Sequence, residues 1–276
     1  MEWLRRNAAP LSEKTWKEID DIAGSMFKQT VVARRIVDFD GPRGWQHVAT
    51  ELGTFKPAQM RQRFEHVRVS VPDVMLLTEL RADFSIPWVD IDIFERVGPT
   101  LNSKSIEDAA SEMALAEDAL VFYGTSAIPG ILSTPGTPQI PLSDWSKPGS
   151  VVADLFSAVE KLDINGVKGP YEAVLSPHDY YAYLKQTGEG GAYPAAKQLG
   201  IVIDKVHNSP VVDGAVLFST RGGDFLITVG GDFTVGYRSH DENAVHLFCV
   251  ETVAAQLLTP EAVCVLPRKG VSERAA

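Results

Sequence analysis

The residues SIEDAASEMALAEDALVFY, at positions 105–123, predict a long helix near the middle of the chain. Its apolar residues recur at the spacing of one helix face, which we expect to be buried: Ile106, Ala109, Met113, Ala116 and Leu120. Asp108 is placed for a capping box at the start, and Gly124 is the kind of residue that ends a helix. The segment therefore predicts one continuous helix with a buried face.

The same helix carries acidic residues that resemble a metal site: Glu107, Asp108, Glu112, Glu117 and Asp118. A di-iron carboxylate site would need Glu-x-x-His partners, and no histidine lies in this helix. The six histidines of the chain are scattered and form no HExxH or HxH pair. We therefore interpret the acidic run as a solvated face and predict no metal site.

Before this helix, Ser12 suits the N-cap of another helix that extends to about Val31, with Leu11 and Trp16 as a hydrophobic staple. Gly24 weakens this helix without ending it. The residues ARRIVDFDGPRGW, at positions 33–45, have extended character and contain a Gly-Pro turn. The chain thus begins with a helix followed by an extended segment.

Residues 46–80 are unusual for a compact domain because they are locally basic in an acidic protein. Four basic residues and one acid lie between Lys56 and Pro72. Val67, Val69 and Val71 alternate with polar residues, which predicts a half-buried strand. The residues that precede this strand are too polar to cover it. Two interpretations remain open, an arm that reaches a neighbouring subunit and a hairpin packed on its own domain.

After the central helix, residues 125–150 are rich in proline, glycine, serine and threonine and predict loops and turns. Residues 151–220 alternate helices with short strands, and nearly all of the chain from residue 225 predicts strands. Because helices cluster early and strands cluster late, we predict an α+β fold.

No catalytic constellation emerges from the sequence. The run Ser176-Pro177-His178-Asp179 contains the residue types of a hydrolase triad, but adjacent residues rarely face one another and no GxSxG elbow is present. We interpret Ser176 as a helix N-cap followed by proline at the first position. The glycines at 188–191 follow a helix and lack the lysine of a phosphate-binding loop. The sequence therefore predicts that the protein is not an enzyme.

Composition excludes several other classes. The 276 residues carry a net charge of -10, so we expect the surface to repel nucleic acid and anionic membranes. Cys249 and Cys264 lie in apolar segments and are expected to be buried thiols. The N-terminal residues lack the apolar region of a signal peptide, and no stretch has the length of a membrane span. We therefore expect a cytoplasmic protein.

Seven segments, in order along the chain, resemble the encapsulin shell proteins, also named linocin-type bacteriocins. They are APLSEKTWKEID (9–20), ARRIVDFDGPRGW (33–45), LLTELRADF (76–84), EDALVFYG (117–124), GPYEAVLSP (169–177), RGGDFLITVGGDFTVGY (221–237) and ETVAAQLLTPEAVCVL (251–266). Each motif alone is weak, whereas seven in series extend the resemblance along nearly the whole chain.

The resemblance implies the fold of tailed-phage major capsid proteins, with a peripheral domain, an axial domain and an extended loop. It assigns 1–45 to the N-terminal helix and the start of the peripheral domain, 46–82 to the extended loop, 83–126 to the peripheral domain with its spine helix, 127–226 to the axial domain, and 227–276 to the return strands and tail. It also implies an icosahedral shell that encloses a cargo protein.

In this family a groove binds a short C-terminal peptide of the cargo. The resemblance places in that groove Phe27, Val31, Arg34, Ile36, Asp38, Phe233, Val235 and Tyr237. It places in a loop lining the five-fold pore Gly188, Glu189, Gly190, Gly191, Ala192 and Tyr193. Ala192 stands where some relatives have histidine, so the pore chemistry of relatives does not transfer.

The resemblance implies a ferritin-like iron oxidase or a dye-decolorising peroxidase as cargo, with a role in iron storage or oxidative-stress defence. Iron or haem is then expected in the cargo and no cofactor in the shell. Two alternatives remain, a phage or prophage major capsid protein, which shares the fold but packages DNA, and a secreted protease or bacteriocin. The net charge and the helix beginning at Ser12 favour the encapsulin over the capsid.

Overall fold

The computed structural model describes residues 2–62, 64, 66–186 and 194–268. The chain divides into two compact units. The first comprises Met1–Met26, Asp40–Met113 and Thr228–Ala254, and the second comprises Phe27–Phe39, Ala114–Ile227 and Ala255–Ala276. Helices and strands occur in both, as expected for an α+β fold.

The first helix, α1 (Glu13–Thr30), confirms the N-terminal prediction. The hydroxyl of Ser12 accepts a hydrogen bond from the N–H of Thr15 at 3.1 Å, which is the geometry of an N-cap. The helix buries Trp16, Ile19, Ala23 and Phe27, and Ile19 is fully inaccessible to solvent. Gly24 lies inside the helix without ending it.

One sheet is antiparallel where β10 (Ala244–Leu257) lies between β4 (Thr78–Pro87) and β9 (Thr234–His240). The five-stranded sheet has the order β1-β8-β10-β4, with β1 at Asp38–Asp40 and β8 at Phe225–Val229, and β9 also pairs with β10. Helix α2 (Trp88–Arg96) follows β4 directly and was not predicted from the sequence. It buries Ile91 and Phe94.

The basic stretch forms an antiparallel hairpin of β2 (Ala49–Pro57) and β3 (Ser70–Leu76). The predicted valine strand is displaced, because β3 begins at Ser70 and leaves Val67 in the connection between the strands. Val67 and Val71 are 58% and 48% exposed. Lys56 pairs with Asp73 across the hairpin at 2.6 Å. The prediction of a strand over these valines is therefore wrong in position, and Val67 and Val71 are uncovered in a single chain.

The second unit contains the C-terminal half of α3 (Lys104–Tyr123) with α4 (Ser150–Ile164), α5 (Pro177–Lys185) and α6 (Ala195–Leu199). Its four-stranded sheet has the order β11-β7-β5-β6. These strands are β5 (Tyr171–Leu175), β6 (Ile203–Asn208), β7 (Ala215–Ser219) and β11 (Val263–Leu266). In this sheet β5 and β6 pair in parallel, whereas β7 pairs with β5 and with β11 in antiparallel fashion, and every residue of β5 and β7 is buried.

The ends of α3 match the prediction within one residue but the capping differs. The helix begins at Lys104, and the N–H of Glu107 donates to the carbonyl of Ser103 at 2.8 Å. Asp108 is therefore one turn inside the helix, where its carboxylate pairs with Lys104 instead of closing a capping box. Gly124 ends the helix as predicted, with a φ of +75°.

The hydrolase-like run is a helix cap. The hydroxyl of Ser176 accepts from the N–H of Asp179 and donates to its carboxylate at 2.6 Å. Asp179 is 1% exposed and pairs with Arg268 at 2.7 Å.

Both cysteines are fully buried, as predicted. Within the described part of the chain no helix is both long and apolar enough to cross a bilayer.

Candidate functional site

The candidate site begins with residues 31–39 of the second unit, which we call the 31–39 segment. It leaves the end of α1, forms a 3-10 turn at Ala33–Arg35 and continues into β1. The N–H groups of Ile36 and Val37 donate to the carbonyl of Ala33 at 3.1 and 3.0 Å, which closes the turn. Four of the predicted peptide-binding residues lie in this segment, and a fifth, Phe27, lies in the last turn of α1.

Asp118, on α3, anchors the beginning of the turn. Its carboxylate accepts the N–H of Ala33 at 2.8 Å and the N–H of Val32 at 3.0 Å. The side chain is fully buried, and this desolvation raises the pKa of Asp118 to about 7, although the two hydrogen bonds oppose the shift. A buried carboxylate at the amino end of a 3-10 turn satisfies backbone donors that have no other partner within the turn.

Glu117, the preceding residue, binds Arg34 through two parallel hydrogen bonds. The Nε of Arg34 donates to Oε1 of Glu117 at 2.7 Å, and its Nη2 donates to Oε2 at 2.7 Å. The Glu117 side chain is fully buried and that of Arg34 is 16% exposed. Such a bidentate geometry fixes the plane of the guanidinium as well as its position.

The prediction that the acidic run of α3 is a solvated face is therefore wrong for two of its members. Glu112 and Asp108 are exposed, as expected, but Glu117 and Asp118 are fully buried. Their charges are compensated by groups of the 31–39 segment, which helix periodicity alone does not reveal.

Arg34 also contacts two aromatic rings. Its guanidinium carbon lies 4.9 Å from the ring centroid of Phe27 and 5.1 Å from that of Phe39, within the range of cation–π attraction. Phe27 is 3% exposed, whereas Phe39 is 41% exposed. Phe39 was not among the predicted site residues, although an aromatic residue between two aspartates of an extended stretch is a signal that the sequence does contain.

The structure also places the other predicted binding residues. In the second unit, Val31 and Ile36 are buried, and the exposed Asp38 accepts the N–H of Gly223 at 2.6 Å. In the first unit, Val235 and Tyr237 are buried residues of β9, and Phe233 directly precedes that strand and is partly exposed. Their role in peptide binding stays a prediction.

The predicted pore loop, 188–193, lies outside the described residues. In the part of the chain that the structure does describe, no three histidine, cysteine, aspartate or glutamate side chains are grouped to hold a metal ion.

Two solved structures share the fold. A virus-like particle from Pyrococcus furiosus superposes with a TM-score of 0.69 over 91% of this chain and 99% of that one, at 17% identity. The capsid of Myoviridae phage XM1 gives a TM-score of 0.58 over 83% and 88% of the two chains, at 10% identity. At these identities the likeness shows the fold, and it confirms the expected phage-capsid-like architecture.

Sequence comparison is more specific. Residues 1–254 match the family described as "Encapsulating protein for peroxidase". The type 1 encapsulin shell protein of Rhodococcus erythropolis is 34% identical over 265 residues, which are 94% of this chain and 97% of that protein. These names describe shell proteins and support the prediction that the chain is not an enzyme. Since the family match covers most of the chain and the relative aligns along nearly its full length, this chain belongs to the encapsulin shell proteins.

Proposed function

We propose that copies of this chain assemble into a closed icosahedral shell in the cytoplasm and enclose a separate cargo protein. The observation that carries the proposal is the β2–β3 hairpin, a sheet of only two strands whose apolar side chains are largely exposed. The exposed apolar side chains on the strands are Leu52, Phe55, Val71, Val74 and Leu76, and those between the strands include Met60, Phe64 and Val67. A two-stranded sheet in water is marginally stable, and soluble monomers rarely expose apolar groups in such a concentration.

A neighbouring copy of the chain would cover these side chains. Burial contributes roughly 25 cal/mol for each Å² of apolar surface removed from water, and closed symmetry repeats the same contact around the shell. Of the two interpretations that the sequence left open, exposure of the apolar stripe favours the arm that reaches a neighbouring subunit.

For the cargo, the description of the matching family supports a peroxidase. A ferritin-like iron oxidase is the second class to consider, and either would give the compartment a role in oxidative-stress defence or iron storage. The cargo would carry the iron or haem, and the shell itself would have no cofactor. We place the C-terminal peptide of the cargo on the exposed surface of the 31–39 segment, and passage of small ions at loop 188–193.

Electron microscopy of the purified protein, with mass spectrometry of the proteins that co-purify, tests this function. We expect round hollow particles that contain a second polypeptide. Because the net charge is -10, we expect the particles to contain no packaged nucleic acid and the shell to have no membrane or DNA partner. A stable monomer at high concentration would contradict the shell, and co-purifying genomic DNA would favour the phage-capsid alternative.

A further inference from the structure

Two adjacent buried carboxylates of α3, Glu117 and Asp118, accept hydrogen bonds from the 31–39 segment. Buried carboxylates are costly unless they are paired or fully hydrogen-bonded. Here both are satisfied by the segment itself, through Arg34 and through the N–H groups of Val32 and Ala33. The geometry of the segment therefore depends on residues more than 80 positions away.

The contacts form a continuous series of side chains that leads from the interior to the surface. Glu117 fixes the plane of the Arg34 guanidinium, and the guanidinium lies against the ring of Phe39. Phe39 is the member of this series of contacts that is open to solvent, at 41% exposure. It also lies in β1, at one end of the strand order of its sheet. An exposed ring on an edge strand suits a partner segment that binds in extended form.

We propose that Glu117 and Asp118 are positioning residues for cargo binding, and that Phe39 is the surface contact that they position. This inference rests on the proposed function, since it assumes that the 31–39 segment takes part in cargo binding. An apolar side chain of the extended cargo peptide packs on the ring of Phe39. Arg34 is paired with Glu117, and it orients that ring instead of acting as the main ion-pair partner of the peptide.

Loading of a reporter into assembled shells tests the proposal. The probe is the C-terminal segment of the protein that co-purifies with wild-type shells, fused to a fluorescent protein and co-expressed with each shell variant. Fluorescence per shell, normalised to shell mass, measures loading, and electron microscopy measures assembly separately.

We expect Phe39→Ala and Glu117→Ala to lower loading by at least about tenfold while shells still form. Glu117→Gln, which keeps an acceptor for Arg34, should retain part of the loading. Asp118→Asn keeps a carbonyl for the backbone N–H groups and should load nearly as the wild type, whereas Asp118→Leu should not. Glu112→Ala, at an exposed acid of the same helix, is the matched control and should load normally.

A merely structural role would change assembly or thermal stability and leave loading per intact shell unaltered. If Glu117→Ala does not assemble, Phe39→Ala and Glu117→Gln decide the question, and normal loading in both would overturn the proposal. Wild-type shells that contain no second protein would instead contradict the proposed function, so the two failures are distinguishable.

Discussion

The carboxylate of Asp118 accepts a hydrogen bond from the N–H of Ala33 at 2.8 Å, across 85 positions of sequence. Burial raises the pKa of this carboxyl to about 7, its neighbour Glu117 adds to the rise, and Arg35 opposes it. When the 31–39 segment detaches, Asp118 meets water and its pKa returns to near 3.8. The attached state therefore binds a proton that the detached state releases.

The sign of the pH dependence follows from this difference. Because the pKa is raised in the attached state, attachment is strongest at low pH and weakens as the pH rises through about 7. We expect detachment to become roughly tenfold less favourable between pH 8 and pH 6. Hydrogen exchange at the amides of Val32 and Ala33, corrected for intrinsic exchange, measures it. In Asp118→Asn the corrected protection should not vary with pH. If the variant instead keeps the pH dependence of the wild type, the assignment to Asp118 is contradicted.

Glu95 links the end of α2 to the start of α1 by accepting hydrogen bonds from the hydroxyls of Ser12 and Thr15. These bonds, that of Ser12 first, lower the pKa of Glu95 below 4.5. Glu95→Gln should therefore cost roughly 0.5–1 kcal/mol at pH 7, a modest amount because the site is exposed and screened by water.

A lowered carboxyl pKa gives stability that is present above 4.5 and is lost as the pH falls below that value. Thermal unfolding of Glu95→Gln and its parent should differ more at pH 7 than at pH 4. Glu112→Gln serves as the exposed control. A difference that grows on acidification would show that the bonds do not act as described.

Phe55, at 68% exposure on β2, is the most exposed phenylalanine among the described residues. Phe55→Lys should reduce the fraction of protein in shells by at least about tenfold, because it places a charge where a neighbour is expected to bury an apolar ring. Phe55→Leu keeps apolar surface and should assemble. Sedimentation velocity separates shells from free subunits; full assembly of the lysine variant would remove Phe55 from the interface.

Two glycines of the first unit predict opposite outcomes on substitution by alanine. At Gly24, inside α1, an added methyl group meets nothing within 4 Å, so Gly24→Ala should stabilise the chain by roughly 0.5–1 kcal/mol. At Gly231 the methyl group would lie 2.2 Å from the indole of Trp45, and overpacking should cost about 1–3 kcal/mol. Thermal unfolding measures both; equal effects of the two substitutions would contradict this packing.

Regular local patterns allowed prediction of the helices. The apolar spacing and Gly124 predicted α3 within one residue at its start and at its end. Helix α2 was missed because Val89, Ile93 and Val97 are exposed apolar residues, which obscures the alternation of buried and solvated faces. The valine alternation indicated extended structure, but the position of β3 depends on its pairing with β2, which no single segment encodes.

The candidate site was only partly predictable for a similar reason. The 31–39 segment was found through family resemblance, whereas its buried support was not. Glu117 and Asp118 stand in a run of acids, and sequence spacing cannot distinguish a solvated carboxylate from one compensated by a distant Arg34 or by backbone N–H groups. Burial of charge is a tertiary property, so it became visible only with the structure.

Cys249 and Cys264 are the only cysteines of the chain, and both are fully buried. Desolvation raises the pKa of each thiol to about 12, so at neutral pH neither forms the thiolate that reacts with maleimides or disulfides. A cysteine introduced on an exposed helix face would be the single reactive thiol of each subunit. Dyes or crosslinkers can thus be attached at one chosen position per copy without first replacing a native residue.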